Sequence, residues 1–343
     1  MDLLPTPEQT EITDSSAAFV SSRLSIQRMR QLFEAGTTPA LDDAAWSGAA
    51  ELGWFVLGLP EQYGGIGCGL VDEALLIREV GRGIAAGPYV STLLAVRVAA
   101  TGGNQALADE IGAGRGVGLV IPDAVDAVAD NGSVTGAVQV LDATHGLALV
   151  VTPEVAAIID VETLDAVERV TCVDPASKLQ RARGNGAASV VSVAASVEPI
   201  EWRAHVLASA LLTGITEATR DIGARYAIDR VQFGKPIGVN QAVKHPCADM
   251  AVHAQLAYAQ TLFAAIAIDE GRPDAELQSL SAHLTASAAA SFASAATIQI
   301  LGGMGFTHEH DAHLYMKRAL LWSHVFGGTS AQLARLLDQP APS

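Results

Sequence analysis

From Trp202 to Leu301 the chain keeps a helical hydrophobic period almost without a break, and that leaves few folds open to it. Val206, Leu207, Ala210, Leu211, Gly214, Ile215, Ala218 and Ile222 fall on one stripe, with Glu217, Arg220, Asp221 and Arg225 off it, as one helix with a buried face requires. Pro246 is positioned to start a second long helix running to about Glu270, and Asp274 to cap a third that reaches Leu301 before Gly302-Gly303. The third is rich in Ala and Ser from Ala286 to Ala296, so neighbouring backbones can approach closely. Long helices joined by short loops make a bundle.

Two further zones precede it. Residues 1–112 also read as helical, with an N-cap at Thr6-Pro7-Glu8 and helical spacing through Phe19–Phe33, Ala44–Leu52 and Val71–Val80. Residues 113–198 change to short Val-rich runs, at Val117–Ile121, Val138–Leu141, Leu147–Val151 and Ser189–Val193, with Asn131-Gly132 and Asn185-Gly186 as turn signals. The expected class is α+β: an N-terminal α-helical domain (1–112), a small middle β domain (113–198) and a C-terminal helical bundle (199–343).

Composition narrows the function classes. Half of the 343 residues are hydrophobic and 17% are charged, which excludes disorder. The formal charge of −16 and the lack of any Lys/Arg cluster argue against nucleic acid or an anionic membrane as partner. Cys68, Cys172 and Cys247 are odd in number and far apart, which suggests neither a disulfide framework nor a thiolate metal site and fits a reducing compartment. No export signal is read at the start, and the most apolar helical stretch, Ala254–Ile268, is interrupted by Gln255 and Gln260 and falls short of the ~20 residues of a membrane span. A cytoplasmic protein is expected. His308, His310 and His313 with Glu309 and Asp311 imitate a metal site, but the spacing fits neither a His pair at i and i+4 nor a Cys/His finger, so no metal is expected.

The segment Arg230-Val231-Gln232-Phe233-Gly234-Lys235-Pro236-Ile237-Gly238, then Asn240-Gln241, Lys244-His245 and Gln299-Ile300-Leu301-Gly302-Gly303-Met304-Gly305-Phe306, resembles the acyl-CoA dehydrogenase family. Upstream, Leu52-Gly53-Trp54, Leu59-Pro60-Glu61-Gln62-Tyr63-Gly64-Gly65 and Glu79-Val80-Gly81-Arg82 resemble the family's N-terminal domain. Asp174-Pro175 is similar to the start of its Asp-Pro-Thr-Arg element, from which Ala176-Ser177-Lys178 departs. The matches are collinear over nearly the whole chain. The resemblance implies the acyl-CoA dehydrogenase fold with a C-terminal four-helix bundle, oligomeric through that bundle, and FAD shared between two chains.

By the same resemblance Arg230 is a cationic partner of the flavin diphosphate, where a planar, permanently charged guanidinium suits phosphate oxygens. Gln232, Phe233 and Gln241 complete that cleft, Gln299 and Gly303 lie along the adenosine side, and Thr329 stands near the end of the same cleft. The competing structural reading pairs Arg230 with Asp229, makes Gln299 a helix cap and makes Gly302-Gly303 a plain helix terminator. The ring-side half differs. The family's Thr-Glu-Pro-x-Ala-Gly-Ser-Asp loop corresponds to Leu119–Asp126 here, and no Trp lies between Trp54 and Trp202 to supply its Trp-Ile-Thr strand. Gly327, before Gly328-Thr329, stands where the family's catalytic glutamate precedes Gly-Thr, and Ala204 takes the alternative base position on the first bundle helix.

Such enzymes need a base on the α-proton and a flavin facing it across the substrate. The pattern therefore implies no catalytic residue in this chain and a second acyl-CoA dehydrogenase-like chain that carries the glutamate, in an α2β2 complex oxidising an acyl-CoA. It resembles the paired actinobacterial enzymes of steroid side-chain degradation. Two alternatives stand beside it: a flavin-free regulatory or structural pseudoenzyme, and a homomeric dehydrogenase with a base relocated to Glu201.

Overall fold

A computed structural model of the chain describes residues 4–339. The N-terminal third holds α1 (Pro7–Arg23), α2 (Ile26–Glu34), α3 (Asp43–Glu51), α4 (Leu70–Arg82), α5 (Tyr89–Thr101) and α6 (Gln105–Gly112). Seven strands follow: β1 (Gly118–Pro122), β2 (Ala137–Leu141), β3 (Leu147–Val151), β4 (Val155–Asp160), β5 (Asp165–Val170), β6 (Leu179–Arg183) and β7 (Ser189–Ala194). The rest is α7 (Ile200–Asp229), a hairpin of β8 (Val231–Gln232) and β9 (Lys235–Pro236), α8 (Gln241–Asp269), α9 (Ala275–Leu301), α10 (Ala312–Trp322) and α11 (Gly328–Asp338). Helical, β and helical zones thus follow one another as the sequence pattern expects.

By contact the chain forms two compact units that cut across those zones. One gathers the chain up to Ser22, Ala74–Ala85 and everything from His205, and the other gathers Arg23–Glu73 with Ala86–Ala204. In the second unit the sheet has the order β5-β6-β2-β1-β3-β4-β7, with β1 and β3 parallel and its other neighbours antiparallel. β3 is buried along its whole length and β4 up to Ile159, because α5 lies against them, and α5 is itself buried from Tyr89 to Ala100. Trp46 anchors the helical part of this unit, its ring 4.5 Å from Phe55 and 4.9 Å from Tyr89, while its indole N–H donates to the Gly114 carbonyl at 2.7 Å.

In the first unit α4 crosses α7 at backbone contact. A Cβ on Gly81 would stand 2.1 Å from the Leu211 carbonyl oxygen, and one on Gly214 would stand 2.0 Å from that of Arg78. Around the crossing Arg82 bridges to Glu217 at 2.8 Å and to Asp221 at 3.1 Å, and Arg78 pairs with Glu79 at 2.8 Å. The Glu79-Val80-Gly81-Arg82 motif is thereby a docking device: a glycine for approach, flanked by charges that tie α4 to α7. α8 and α9 pack on each other along their lengths, and α10 and α11 both lie against α9.

Several element boundaries differ from the expectation. The Phe19–Phe33 stretch is two helices, broken at Leu24-Ser25 where Ser25 caps α2 through Oγ. α8 begins at Gln241, so Pro246 sits in its second turn instead of starting it, where it has no N–H to donate to the Ala242 carbonyl. Asp274 occupies the N-cap position of α9, but its carboxylate is taken up by the Arg272 guanidinium and the Gln278 amide instead of capping. At 29 residues α8 is longer than Ala254–Ile268 suggested, and α8 and α9 are both long and apolar enough to cross a membrane by length and composition alone, a test that core helices also pass. Their mutual packing buries part of that apolar surface, while Val252 and Leu256 of α8 stay more than half exposed.

Candidate functional site

The last turn of α7 closes when the Arg230 N–H donates to the Tyr226 carbonyl, and the Arg230 carbonyl then accepts from the Ile237 N–H at 2.8 Å across the hairpin. The hairpin pairs Val231 with Pro236 and Gln232 with Lys235, leaving a two-residue turn of Phe233 (φ 52°) and Gly234 (φ 76°). Two successive left-handed residues are what a tight hairpin turn of this twist requires. Glycine suits the second; phenylalanine at the first is strained, and its ring is completely exposed.

Every residue from Ile228 to Pro236 is exposed. Among the described residues the Arg230 guanidinium has no ion pair or hydrogen bond, so the competing pairing with Asp229 does not form. Gln232 donates only to the adjacent Val231 carbonyl, at 2.8 Å, and Gln241 is exposed as the first residue of α8. On α9 the Gln299 side chain is exposed, and it is the Gln299 backbone carbonyl, accepting from the Gly302 N–H, that helps end the helix. Gly302 (φ 62°) is the terminator of the competing reading, whereas a Cβ on Gly303 would meet nothing within 4 Å.

These residues gather at one end of the helices. α8 and α9 are joined by a short turn and run antiparallel, so Gln241 and Gln299 share an end. α7 joins them there: Thr297 Oγ1 donates to the Thr219 carbonyl at 2.7 Å, and Gly223 lies against Met250, Thr297 and Ile300. Arg230, Gln232, Phe233, Gln241, Gln299 and Gly303 are therefore brought to one exposed rim. Thr329 is not. On α11, which begins at Gly328, Gln332 bonds to His283 and Arg335 to Glu276, so α11 runs antiparallel to α9 and Thr329 stands near the middle of that helix. At 1.5 Å rise per residue this is roughly 18 Å along α9 from Gln299. Antiparallel docking of α11 thus sets Thr329 apart from the six rim residues within this chain.

Beside the rim opens a cavity of about 380 Å³, floored by Ile222 and Leu301 and edged by Asp221, Arg225, Tyr226, Asp229 and His310. Sequence reasoning passed over it. The polar residues off the α7 stripe were its only signal, and they read equally well as a solvated face.

The region around Gly327 forms a second locality. Phe326 (φ 60°) and Gly327 (φ 101°) are both left-handed, and a Cβ on Gly327 would have only Ala331 near it, at 3.8 Å. The Phe326 carbonyl accepts from Gln332 Nε2 at 3.1 Å and from His205 Nε2 at 3.4 Å. His205 is the residue after Ala204 on α7. It is fully buried and stacks loosely on His283, ring centroids 5.6 Å apart. Burial holds both imidazoles far below their ordinary range, His205 at about 4 and His283 at about 3. Neither is a base that a substrate can reach. Glu201 is also buried, at 8% exposure, in the first turn of α7. The histidine-rich link is local structure: His310 Nδ1 accepts from the Ala312 N–H, and the His308 and His313 rings meet at a 59° tilt with centroids 5.0 Å apart. Among the described residues no three His, Cys, Asp or Glu side chains converge to hold a metal ion.

Family models match both helical parts: the acyl-CoA dehydrogenase N-terminal domain over residues 6–111 and the C-terminal domain over residues 201–339. Acyl-CoA dehydrogenase IpdE2 of Mycobacterium tuberculosis is 30% identical over 324 residues, covering 92% of each chain. The chain belongs to the acyl-CoA dehydrogenase family. FAD is the family's cofactor. Acyl-CoA dehydrogenase FadE34 of Mycobacterium tuberculosis is 32% identical over 94% of this chain, which spans 45% of that longer protein. Among solved structures the chain superposes on the Tcur3481–Tcur3483 steroid ACAD with a TM-score of 0.83, at 24% identity, covering 96% of this chain and 97% of that one. The ChsE4–ChsE5 complex of Mycobacterium tuberculosis gives a TM-score of 0.81 at 22% identity, covering 99% of this chain and 100% of that one. Those likenesses establish the fold: a helical N-terminal domain, a middle sheet domain and a helical C-terminal domain.

Proposed function

We propose that this chain is the non-catalytic subunit of an FAD-dependent acyl-CoA dehydrogenase, giving the ADP side of the flavin site to a second acyl-CoA dehydrogenase-like chain that carries the glutamate and the ring-binding loop. The observation that carries the reading is Arg230: a permanent cation with no partner among the described residues, on a rim where every neighbour from Ile228 to Pro236 is exposed. The donor set fits a diphosphate and the sugar beside it. Arg230 supplies charge-assisted hydrogen bonds, Gln232, Gln241 and Gln299 supply amide groups, and Gly303 leaves its backbone open to close approach. The exposed Phe233 ring supplies an apolar face, and Thr329 contributes a hydroxyl from its separate place at the start of α11.

FAD, when bound, accepts at N5 the hydride that leaves the β-carbon of an acyl thioester. Removal of the α-proton falls to the partner, since Gly327 and Ala204 have no proton-accepting side chain. Support for the division comes from relatives whose names join two chains, the Tcur3481–Tcur3483 steroid ACAD and the ChsE4–ChsE5 complex. The word steroid in the first of those names favours a steroid-bearing acyl thioester as the substrate class; an α2β2 assembly and a cytoplasmic location belong to the same proposal.

The test is flavin content of the complex purified with its co-expressed partner. Arg230→Ala removes a charge-assisted bond worth about 1.5–3 kcal/mol, so flavin affinity falls roughly ten- to a hundred-fold. Unchanged flavin content in that variant would support the flavin-free pseudoenzyme instead. A homo-oligomer of this chain alone, carrying stoichiometric flavin and oxidising acyl-CoA, would reject both.

A further inference from the structure

The turn before α11 is held by a buried chain of hydrogen bonds whose proton positions follow from chemistry alone. A backbone carbonyl only accepts, so the Gln332 atom facing the Phe326 carbonyl is its NH2 group. That nitrogen only donates, so the His283 Nδ1 it also meets is bare, and the ring proton sits on Nε2. There it points at the Trp322 carbonyl, 3.2 Å away, which again can only accept. His205 closes the set from α7, its Nε2–H aimed at the same Phe326 carbonyl. The chain runs from α10 through α9 and α11 to α7 without a charged group, and both Gln332 N–H groups are used.

α11 depends on this chain to an unusual degree. Gln332 is the buried residue of the helix, while Leu333 and Leu337 point outward with 46% and 77% of their surfaces exposed. Little apolar burial seats the helix, and Arg335 ties it to Glu276 of α9 at 2.6 Å. Upstream, Phe326 stands in a left-handed conformation uncommon for a residue with a side chain, and its carbonyl meets two donors there.

We propose that Gln332, His283 and His205 are positioning residues for the Phe326–Thr329 turn, setting where α11 begins and hence where the Thr329 hydroxyl is presented to the flavin. The last clause rests on the flavin-site reading above; the lock on the turn does not.

The experiment uses the full chain in complex with its co-expressed partner and reads two quantities on the same samples: hydrogen exchange at the hydrogen-bonded α11 amides from Gln332 to Arg335, and flavin retention. Gln332→Met, which keeps the volume and loses both N–H groups, and His205→Phe each speed exchange about ten-fold or more and lower flavin retention to the level of Thr329→Val. His205→Gln, whose amide N–H stands in for Nε2–H, restores both. Nitrogen-15 NMR of the wild-type imidazoles shows the proton on Nε2 of each ring, a signature that mere core packing does not demand. Unchanged exchange in Gln332→Met and His205→Phe overturns the lock, and so does an Nδ1-protonated His283. Arg230→Ala separates the two readings. Flavin lost in Arg230→Ala but kept in Gln332→Met, with exchange accelerated, overturns the positioning of Thr329 alone; flavin kept in both overturns the flavin-site reading with it.

Discussion

At the scale of single residues, the chemistry of this chain is set by groups that are kept neutral or left unpaired. His205 and His283 carry the clearest consequence. Burial lowers their folded-state values to about 4 and about 3, against an ordinary 6.5, so between those values the unfolded chain binds protons that the folded chain refuses. Stability therefore rises with pH in that window: the contribution is fully present above about 6.5 and is lost as pH falls toward 4. For His205 the full effect is on the order of 3 kcal/mol at 1.36 kcal/mol per unit. Urea denaturation of the full chain at several values between pH 7 and pH 5 will show a steeper loss for the wild type than for His205→Gln, which has nothing to titrate; equal slopes would remove the assignment. Glu201 is a contrasting case. It is buried in the first turn of α7, where an acidic group favours the helix dipole. Glu201→Gln will leave acyl-CoA oxidation by the two-chain complex unchanged, and abolished turnover in that variant would revive the relocated base.

Between elements, glycine does two separable jobs, and one pair of substitutions tells them apart. Gly81 and Gly214 sit where α4 and α7 touch backbone to backbone, and any Cβ there meets a carbonyl oxygen near 2 Å. Gly214→Ala will cost at least about 2 kcal/mol of unfolding free energy, because the helices must separate along their length. Gly303→Ala faces open space within this chain and will leave denaturation unchanged, while lowering flavin content in the complex if the backbone there lies against the cofactor. Loss of fold stability in Gly303→Ala would show that it serves the bundle. The contrast also marks what was legible beforehand. Stripe residues such as Val206, Leu207 and Leu211 announced α7, and the Val-rich runs announced β1 to β3 and β7, since both signals are local periodicities. α5 carries apolar residues all round and so offers no face to read, and α8 hides its start behind Pro246, where position along the helix decides the cost. The six rim residues were readable because they are collinear with family motifs. The separation of Thr329 from them, the His205–Gln332–His283 chain and the cavity edged by Arg225 and Tyr226 were not, because each is created by contacts between residues far apart in the chain, 49 apart for Gln332–His283 and 121 for His205–Phe326.

For the whole molecule, the question is how many flavin sites two chains can make. The rim at the end of α7, α8 and α9 is exposed and apolar in part, with Ile228, Val231, Phe233 and Val239 all more than half exposed, as a surface that is completed by another chain would be. A symmetric family member would both give such a rim and receive one, and so hold one flavin per chain. On the proposed reading this chain gives a rim. Its β1 strand runs Leu119-Val120-Ile121-Pro122 into Asp123-Ala124, without the family's ring-binding loop, and its sheet has no Trp. On the proposed reading the partner receives and does not need to be received, and a pair of unlike chains holds one flavin. Quantifying released FAD against total protein in the purified complex will give about 0.5 per chain; a value near one would mean that this β domain binds the ring by other residues, and that the division of labour between the chains is wrong. Mass measurement of the same sample fixes the stoichiometry independently, so that half-occupancy of a symmetric assembly is distinguished from full occupancy of an asymmetric one: adding excess FAD raises the first toward one per chain and leaves the second where it stands.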